Sequence, residues 1–420
     1  MSSLLIYNVR LVTPGAKASG VNWDLLDVPG AAVLSEDGII KKIGFDKEVV
    51  ADSPAEIERF DGQGKLLTPG LVDCHTHPVF NRTREHEFVR RVQGATYRES
   101  AAEGGGILFS VRDVRQTSSE VLLEKLLRRL DRFLMHGTTT IEAKSGYGLS
   151  YESEIRQLEI IRQAGQQHPV EMVPTFLGAH QIPEEHRSHR QRYLDLLMQE
   201  MLPAVAERKL AKFADIFCEA HVFTAAESKK VLTAASELGL RPKIHADQLS
   251  NSGGTQVAID VGAISADHLE HTPPVLYEAI LEAGIVPVLL PGADFFINAP
   301  RYPAAREMIA AGLPVALSTD FNPGTCMTES LPMVMTLACL KLRMTPSEAL
   351  VASTLHAARA IDLDQRIGSL EVGKQADMVL WDAENVDTLA YHFGVNLVHQ
   401  VFKGGRLVYR SAQITSYESH

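Results

Sequence analysis

Cysteine is scarce in this chain, and the few cysteines are far apart. Cys74, Cys218, Cys326 and Cys339 are the only four among 420 residues, and no two of them form a Cys-x-x-Cys pair. A disulfide scaffold needs cysteine at a much higher density, so the composition excludes that class of protein. Isolated cysteines are typical of a reducing compartment, and we expect a cytoplasmic protein.

Long apolar runs are also missing. A membrane-spanning helix needs about 20 consecutive apolar residues, and no such run occurs in the sequence. The first ten residues lack a basic segment followed by an apolar one, so we expect no signal peptide. The sequence therefore predicts a protein without a membrane partner.

Positive charge is in deficit. The chain has 41 Lys and Arg against 52 Asp and Glu, a formal net charge of −11, and contains no long basic run. A nucleic-acid partner would depend on many cationic contacts to phosphate, so we expect none. A small anionic substrate would have to be held by a local arginine or lysine against the overall field.

What the sequence does contain is an alternation of short apolar segments with longer helical patterns. This alternation is typical of a parallel α/β fold, and eight such units predict a TIM barrel. Two intervening stretches, residues 119–136 and 227–238, are amphipathic and long enough for crossover helices. The eight predicted strands cover residues 71–75, 138–143, 171–177, 214–219, 242–245, 263–268, 285–290 and 315–319.

Both ends of the chain differ from this central pattern. Short apolar pieces broken by glycine and proline predict strands within residues 4–12, 31–34 and 39–43, and again within 378–381 and 398–409. We expect the two ends to pair into one β-sandwich beside the barrel. The predicted domains are residues 1–65 and 366–420 for the two parts of the sandwich, and 66–365 for the barrel.

His75 and His77 stand at the end of the first predicted barrel strand. Alternate residues of an extended chain face the same side, so the two imidazoles could bind one metal ion. A lone His-x-His is more often a pair of surface histidines. Here it follows the apolar residues 66–73, which predict a buried strand, and buried imidazoles need partners.

Further polar residues end other predicted strands, where TIM barrels carry their active sites. They are His180, Glu219, His245, His268 and Asp320. Three imidazoles and a carboxylate suit Zn²⁺ or another first-row metal, which lowers the pKa of bound water from about 15.7 towards 7 and so favours hydrolysis.

One metal ion is expected rather than two. A carboxylated lysine at the end of strand four could bridge two metals, but Cys218 and Glu219 occupy that position. Lys144 ends strand two instead, where a structural ion pair and a functional role are equally open.

Several segments together resemble the amidohydrolase superfamily, and they extend over almost the whole chain. They are residues 69–77 (PGLVDCHTH), the histidines that end strands five and six, Asp320, and residues 368–377 (GSLEVGKQAD). The resemblance implies a distorted TIM (β/α)8 barrel with a flanking β-sandwich and a metal at the barrel mouth.

Four finer segments are similar to those of the imidazolonepropionase family, which acts in histidine degradation. They are residues 142–149 (EAKSGYGL), 176–180 (FLGAH), 245–248 (HADQ) and 319–325 (TDFNPGT). The similarity implies hydrolytic opening of the ring of 4-imidazolone-5-propanoate to N-formimidoyl-L-glutamate, by attack of metal-bound hydroxide on the cyclic amide carbonyl. It also implies one metal ion, Zn or Fe, and the class favours a homodimer.

The same similarity implies roles for individual residues. The metal ligands would be His75, His77, His245 and Asp320. The substrate would be contacted by Arg84, Tyr147, His180 and Gln248, and its product-like end by Asn322, Gly324 and Thr325.

Elementary chemistry supports the choice of Arg84, because a guanidinium can bind a propanoate carboxylate through two hydrogen bonds. Arg82 could compete for this role.

Proton transfer is less well defined by the sequence. Some relatives have glutamate where this chain has Gln248, and an amide cannot act as a base. We therefore expect His268 to hold and deprotonate the attacking water, and Asp320 to pass a proton to the departing ring nitrogen. Asp247 and Glu219 remain open as alternatives.

Two rival functions are compatible with this pattern. An aminohydrolase of purine or pyrimidine rings would use the same metal chemistry and release ammonia. A catalytically inactive barrel acting as an interaction scaffold would lack metal ligands, and none of the expected ligands is missing here.

Overall fold

The computed structural model describes residues 3–15, 23–54, 56–94 and 105–411. Its core is a barrel of eight parallel strands whose order in space follows their order along the chain. Beside the barrel lies a second, mostly antiparallel sheet of eight strands from both ends of the chain. The predicted TIM barrel with a flanking β unit is confirmed.

Five strands of the flanking sheet precede the barrel. They are β1 (Ser3–Pro14), β2 (Leu25–Glu36), β3 (Ile39–Phe45), β4 (Glu58–Asp61) and β5 (Leu66–Pro69). The barrel strands are β6 (Leu71–Asp73), β7 (Thr138–Lys144), β8 (Glu171–Ala179), β9 (Phe213–Cys218), β10 (Arg241–Ala246), β11 (Ser265–His268), β12 (Val286–Leu289) and β13 (Ala316–Leu317). The flanking sheet is completed by β14 (Met378–Trp381), β15 (Val398–Lys403) and β16 (Arg406–Arg410).

The two ends of the chain meet where β14 pairs antiparallel with β5, which itself pairs with β1. The resulting order is β16-β15-β14-β5-β1-β2-β3, and β4 pairs with β1. Because β5 continues directly into β6, the flanking sheet fixes the chain at the point where it enters the barrel.

Helices follow most barrel strands and cover the outside of the barrel. In the helix Ser119–Met135, four fully buried residues recur every three or four positions and place one face of the helix on the barrel. They are Leu122, Leu126, Leu130 and Phe133. The described helices are α1 (Asp46–Ala51), α2 (Glu85–Val92), α3 (Gly106–Gln116), α4 (Ser119–Met135), α5 (Tyr151–Gln167), α6 (Arg190–Leu196), α7 (Leu202–Glu207), α8 (Ala225–Glu237), α9 (Gly254–Val261), α10 (Tyr277–Glu282), α11 (Pro291–Phe296), α12 (Ala305–Ala310), α13 (Leu331–Leu342), α14 (Pro346–Ala352), α15 (Leu355–Ala360) and α16 (Val386–Tyr391).

All eight predicted barrel strands are present, and no bound differs from its predicted position by more than two residues. The two predicted crossover helices correspond to α4 and α8. One prediction was wrong: residues 66–73 do not form a single strand but divide at Gly70 into β5 and β6. Glycine is required at the division, since a Cβ atom at Gly70 would lie 2.3 Å from the side-chain oxygen of Thr139.

The barrel is closed by contacts between its first and last strands. Thr76 forms a parallel bridge with Phe321, and the backbone N–H of His77 donates to the Phe321 carbonyl at 2.8 Å. Beneath this bridge, the buried Asp73 carboxylate accepts hydrogen bonds from the backbone and side chain of Thr319. Barrel closure therefore brings the segment after β6 against the segment after β13.

None of the helices in the described ranges combines the length and apolar character that crossing a membrane would require.

Candidate active site

Three histidines and one aspartate converge at the carboxyl end of the barrel. The Nε2 atoms of His75 and His77 are 3.3 Å apart, and Asp320 Oδ1 lies 3.6 and 3.4 Å from them. A nitrogen of His245 joins those of His75 and His77 in a group of three ligand atoms that all lie within 4.8 Å of one another. All four side chains are buried.

Two of these imidazoles are held from behind by buried carboxylates. His75 Nδ1 lies 2.6 Å from Asp267 Oδ2, and His245 Nδ1 lies 3.0 Å from Asp215 Oδ2. A carboxylate at Nδ1 fixes the proton there, so Nε2 of each ring presents a lone pair to the centre of the site.

The Nε2 atoms of His75 and His245 therefore offer lone pairs, and the Asp320 carboxylate lies beside Nε2 of His75. Two imidazole lone pairs and a carboxylate oxygen would repel one another unless a cation lay among them. Nitrogen and oxygen donors of this kind suit a divalent first-row metal, so the residues present fit a metal ion.

Burial keeps the rings in the form that binds a metal. It lowers the pKa of His75 well below its ordinary value and that of His77 to about 4, since an imidazolium is poorly solvated here. Burial alone would raise the pKa of Asp320, but hydrogen bonding to His77 and the charge of His268 outweigh it, and that pKa is lowered. Neutral imidazoles and an ionised carboxylate result.

A second group of possible ligands, His75, Glu142 and Asp267, lies deeper in the barrel. Lysine ammonium groups already neutralise it: Lys144 Nζ is 2.9 Å from Glu142, and Lys243 Nζ is 3.4 Å from the same carboxylate. This arrangement agrees with the expectation of one metal ion.

The backbone is strained where the strands end. His268 has φ of 83° and Asp320 has φ of 53°, in the left-handed region that residues with a Cβ atom rarely adopt. Such strain is common at active sites, where the surrounding structure holds it in place. At Asp320, the bridge from Thr76 to Phe321 is the restraining contact.

A pocket of about 510 Å³ opens above the converging ligand atoms. Ten residues singled out from the sequence line it, and they are His77, Arg84, Tyr147, His180, His245, Gln248, His268, Asp320, Asn322 and Thr325. His75 lies beneath His77, fully buried, and Gly324 lies beside Arg84.

Arg84 is the cation of this pocket. It is 3% exposed, and its Nε and Nη1 atoms make no hydrogen bond within the described part of the chain. Its nearest carboxylate is Glu87, at 3.4 Å from Nε. The guanidinium packs on Gly324 so closely that a Cβ atom there would lie 1.3 Å from Nη2, which explains the glycine.

Arg82 has a different environment. Its guanidinium lies 5.6 Å from the ring of Phe109, and it lines a separate surface groove with Lys125 and Arg132. It does not line the pocket of Arg84.

His180 and Tyr147 form the opposite wall. His180 Nδ1 lies 3.0 Å from the carbonyl of Gly146, which leaves Nε2 for a ligand, and its ring stacks on His77 with centroids 5.0 Å apart. Gly146 has φ of 108°, and a Cβ atom there would lie 2.9 Å from His180 Nδ1. The glycine before Tyr147 therefore permits this wall to form.

The loop after β13 is built around Asn322. Its side-chain amide donates to the Asp320 carbonyl and the Thr325 hydroxyl, and its side-chain oxygen accepts from the backbone of Gly324 and Thr325. All of these bonds lie within the loop. Asn322 consequently fixes the position of Asp320 and of the glycine beneath Arg84.

His268 faces the pocket from the end of β11. It is 1% exposed, and its Nδ1 atom has no hydrogen-bond partner among the described residues, although Glu270 Oε1 lies 3.5 Å away. Burial lowers the pKa of His268, which favours the neutral ring. A neutral imidazole beside the ligand atoms is able to accept a proton.

Asp247 and Glu219, the alternative proton carriers, serve other contacts. The Asp247 carboxylate accepts from the backbone of Ser252, Gly254 and Thr255. Glu219 accepts from the backbone of Leu249. Their hydrogen-bonding capacity is used in shaping loops, and neither residue lines the pocket.

Sequence reasoning missed two kinds of residue here. The carboxylates behind the histidines, Asp215 and Asp267, were not singled out, although Asp267 directly precedes His268 and both lie within predicted strands. The apolar walls were also missed, and they are formed by Ile107, Phe217, Leu249 and Ile297.

Comparison with known proteins agrees with this geometry. The Amidohydrolase family matches residues 66–408. The imidazolonepropionase of Geobacillus thermodenitrificans is 47% identical over 394 residues, which cover 93% of each chain.

Solved structures share the fold at much lower identity. The guanine deaminase of E. coli superposes with a TM-score of 0.76 at 15% identity, covering 98% of this chain and 100% of that one. A zinc-bound adenosine deaminase from Xanthomonas campestris gives 0.72 at 18% identity, covering 97% and 92%.

The family match covers most of the chain, and the Geobacillus relative is 47% identical over 93% of each chain. The chain therefore belongs to the amidohydrolase family and, within it, to the imidazolonepropionases, which makes it a metal-dependent hydrolase.

Proposed function

We propose that this chain hydrolyses 4-imidazolone-5-propanoate to N-formimidoyl-L-glutamate. The observation that carries the proposal is the pairing, in one pocket, of a group of electron-rich ligand atoms with a buried guanidinium, Arg84. The ligand atoms suit a metal ion that activates water and a ring carbonyl, and the guanidinium suits the carboxylate of the propanoate. The imidazolonepropionase relatives supply the identity of the ring.

The proposed ligands of the metal are His75, His77, His245 and Asp320, whose atoms converge as described. Bound there, the ion would supply a Lewis acid that polarises the ring carbonyl and acidifies the attacking water. We propose Zn or Fe as the metal.

The substrate is oriented by its carboxylate. Arg84 would bind the propanoate through its guanidinium, whose Nη1 atom makes no hydrogen bond among the described residues, and so hold the ring against His180, Tyr147 and Gln248. Thr325 and the backbone at Gly324 lie beside the guanidinium, where they would contact the same end of the product, and Asn322 would hold this loop in place. Such orientation converts an encounter into a directed reaction.

Two side chains would move the protons. As water attacks the ring carbonyl carbon, His268 takes a proton from it while the new C–O bond forms. Asp320 then takes up the second proton of the water from the new hydroxyl group and passes it to the departing nitrogen as the ring C–N bond breaks. His268 releases the first proton to solvent when the product, now a carboxylate, leaves.

We also propose that the protein works in the cytoplasm as a homodimer on a small-molecule substrate. Its four cysteines are all unpaired, as expected in a reducing compartment. The dimer is proposed on family grounds.

The first experiment follows the ultraviolet absorbance of fresh 4-imidazolone-5-propanoate with metal-loaded protein and with His245→Ala. We expect rapid loss of absorbance with formimidoylglutamate as product in the wild type, and only the spontaneous rate in the variant or after chelation. A wild-type rate equal to the spontaneous rate, with metal bound, would reject this substrate. Release of ammonia from cytosine or guanine would instead favour the aminohydrolase function.

A second experiment compares Arg84→Met with Arg82→Met. Loss of a buried charge-assisted contact costs about 2–5 kcal/mol, so kcat/KM of the Arg84 variant should fall by roughly 30-fold or more. Arg82 lies outside the pocket, and its variant should keep kcat/KM within about twofold, as is usual for a surface substitution. Equal losses in the two variants would contradict the assignment of Arg84.

A third experiment compares His268→Asn with His271→Asn in metal-loaded protein. A general base typically contributes about 10²- to 10⁴-fold, so the first variant should lose kcat by that factor while its metal content stays at the wild-type level. His271 lies in the adjoining outer cavity and provides the matched control. An unchanged kcat in His268→Asn would remove His268 from the proposed mechanism.

A further inference from the structure

Lys144 is a fully buried lysine at the end of β7, directly behind the ligand group. Its Nζ atom lies 2.6 Å from Asp215 Oδ2, 2.9 Å from Glu142 Oε2 and 3.7 Å from Asp267 Oδ2. Burial would lower the pKa of this ammonium, but the three carboxylates outweigh it and the pKa is raised. Lys144 is therefore a permanent cation among three anions.

Two of these three carboxylates are the ones that orient metal histidines. Asp215 lies at Nδ1 of His245, and Asp267 lies at Nδ1 of His75. These pairs come from different strands of the barrel, β9 with β10 and β11 with the segment after β6. Among the described residues, Lys144 is the side chain that forms ion pairs with both Asp215 and Asp267.

We propose that Lys144 is a positioning residue for the metal. Its ammonium binds both Asp215 and Asp267 and thereby holds the imidazoles of His245 and His75 at a fixed distance and angle to each other. This inference rests on the ligand set given under the proposed function. It concerns a residue that contacts neither the metal nor the substrate and acts through two carboxylates.

The neighbouring lysine cannot take over this role. Lys243 Nζ lies 3.4 Å from Glu142 and 4.0 Å from Asp267, and it also donates to the carbonyls of Cys74 and Ala360 at 3.3 Å. No ion pair joins it to Asp215 in the described structure.

Without Lys144, Asp215 would face a buried environment with His245 and a backbone amide as its remaining partners. An uncompensated buried carboxylate is strongly unfavourable, so it would rotate away from its present position. This movement would release Nδ1 of His245. The His75 pair would be weakened less, because Lys243 and Ser265 still face Asp267.

The test measures the affinity of the apoprotein for Zn²⁺ by competition with a chelator in Lys144→Met, with Lys243→Met as matched control. Partners that orient metal ligands are worth about 10- to 100-fold in metal affinity, so we expect a loss of that size in Lys144→Met and a loss below about tenfold in Lys243→Met. Both variants remove a fully buried ammonium, so thermal unfolding should show a similar loss of stability in each.

A second readout is the visible spectrum of bound Co²⁺, which responds to ligand identity and geometry. It should change in Lys144→Met and stay as in the wild type in Lys243→Met. Wild-type affinity and spectrum in Lys144→Met would overturn the inference, and so would equal losses in the two lysine variants.

His245→Ala separates this inference from the proposed ligand set. If His245→Ala retains wild-type affinity, the ligand set itself is wrong. If His245→Ala loses the metal while Lys144→Met keeps it, the ligand set holds and only the role of Lys144 is rejected.

The double variant Lys144→Met/Asp215→Asn removes one charge of each sign and keeps the test available if Lys144→Met does not fold. Because Lys144 acts through Asp215 and Asp267, adding Lys144→Met to Asp215→Asn should cost less affinity than it costs in the wild type, and below about tenfold. A tenfold or greater additional loss in the Asp215→Asn background would contradict action through that carboxylate.

Discussion

Two buried hydrogen bonds, from His75 to Asp267 and from His245 to Asp215, decide which nitrogen of each ring faces the pocket. With Nδ1 bound from behind, Nε2 of each ring offers a lone pair, and Nε2 of His75 lies 3.6 Å from Asp320 Oδ1. These two contacts suit the end of the barrel to a metal ion, because they leave imidazole lone pairs within the group of His75, His77 and His245. The proposed substrate orientation and proton steps are arranged around this group.

Barrel closure gives these contacts their geometry. The parallel bridge between Thr76 and Phe321 carries the His75 and His77 segment to the loop that bears Asp320. Strain in the backbone at Asp320 is held by the same bridge and by the Asn322 turn. The contact between Thr76 and Phe321 therefore sets the distance between the proposed ligands His75 and Asp320, which are about 245 residues apart in sequence.

The charge buried beneath the ligands has a second consequence. Glu142 and Asp267 could themselves hold a cation with His75, but Lys144 and Lys243 fill that role with fixed ammonium groups. These two ammonium groups are the cations described beneath the group of His75, His77 and His245.

The sequence predicted the barrel and most pocket residues because both depend on local pattern. Apolar runs of four to eight residues marked the strands, and polar residues just after them marked the mouth of the barrel, as at His245 and Asp320. Contacts that depend on strand register were beyond this reasoning. Asp267 pairs in register with His245 yet binds His75, and nothing in the order of residues reveals that choice.

Long-range packing explains the other differences. The glycine at position 70 is required by Thr139 in the next strand, and the position of Arg84 in the pocket is matched by the glycine at 324. The most direct test of the whole account is diffraction from metal-loaded crystals at the absorption edge of the metal. We predict one anomalous peak, bounded by His75, His77, His245 and Asp320. A peak among His75, Glu142 and Asp267, or peaks at both positions, would contradict the account.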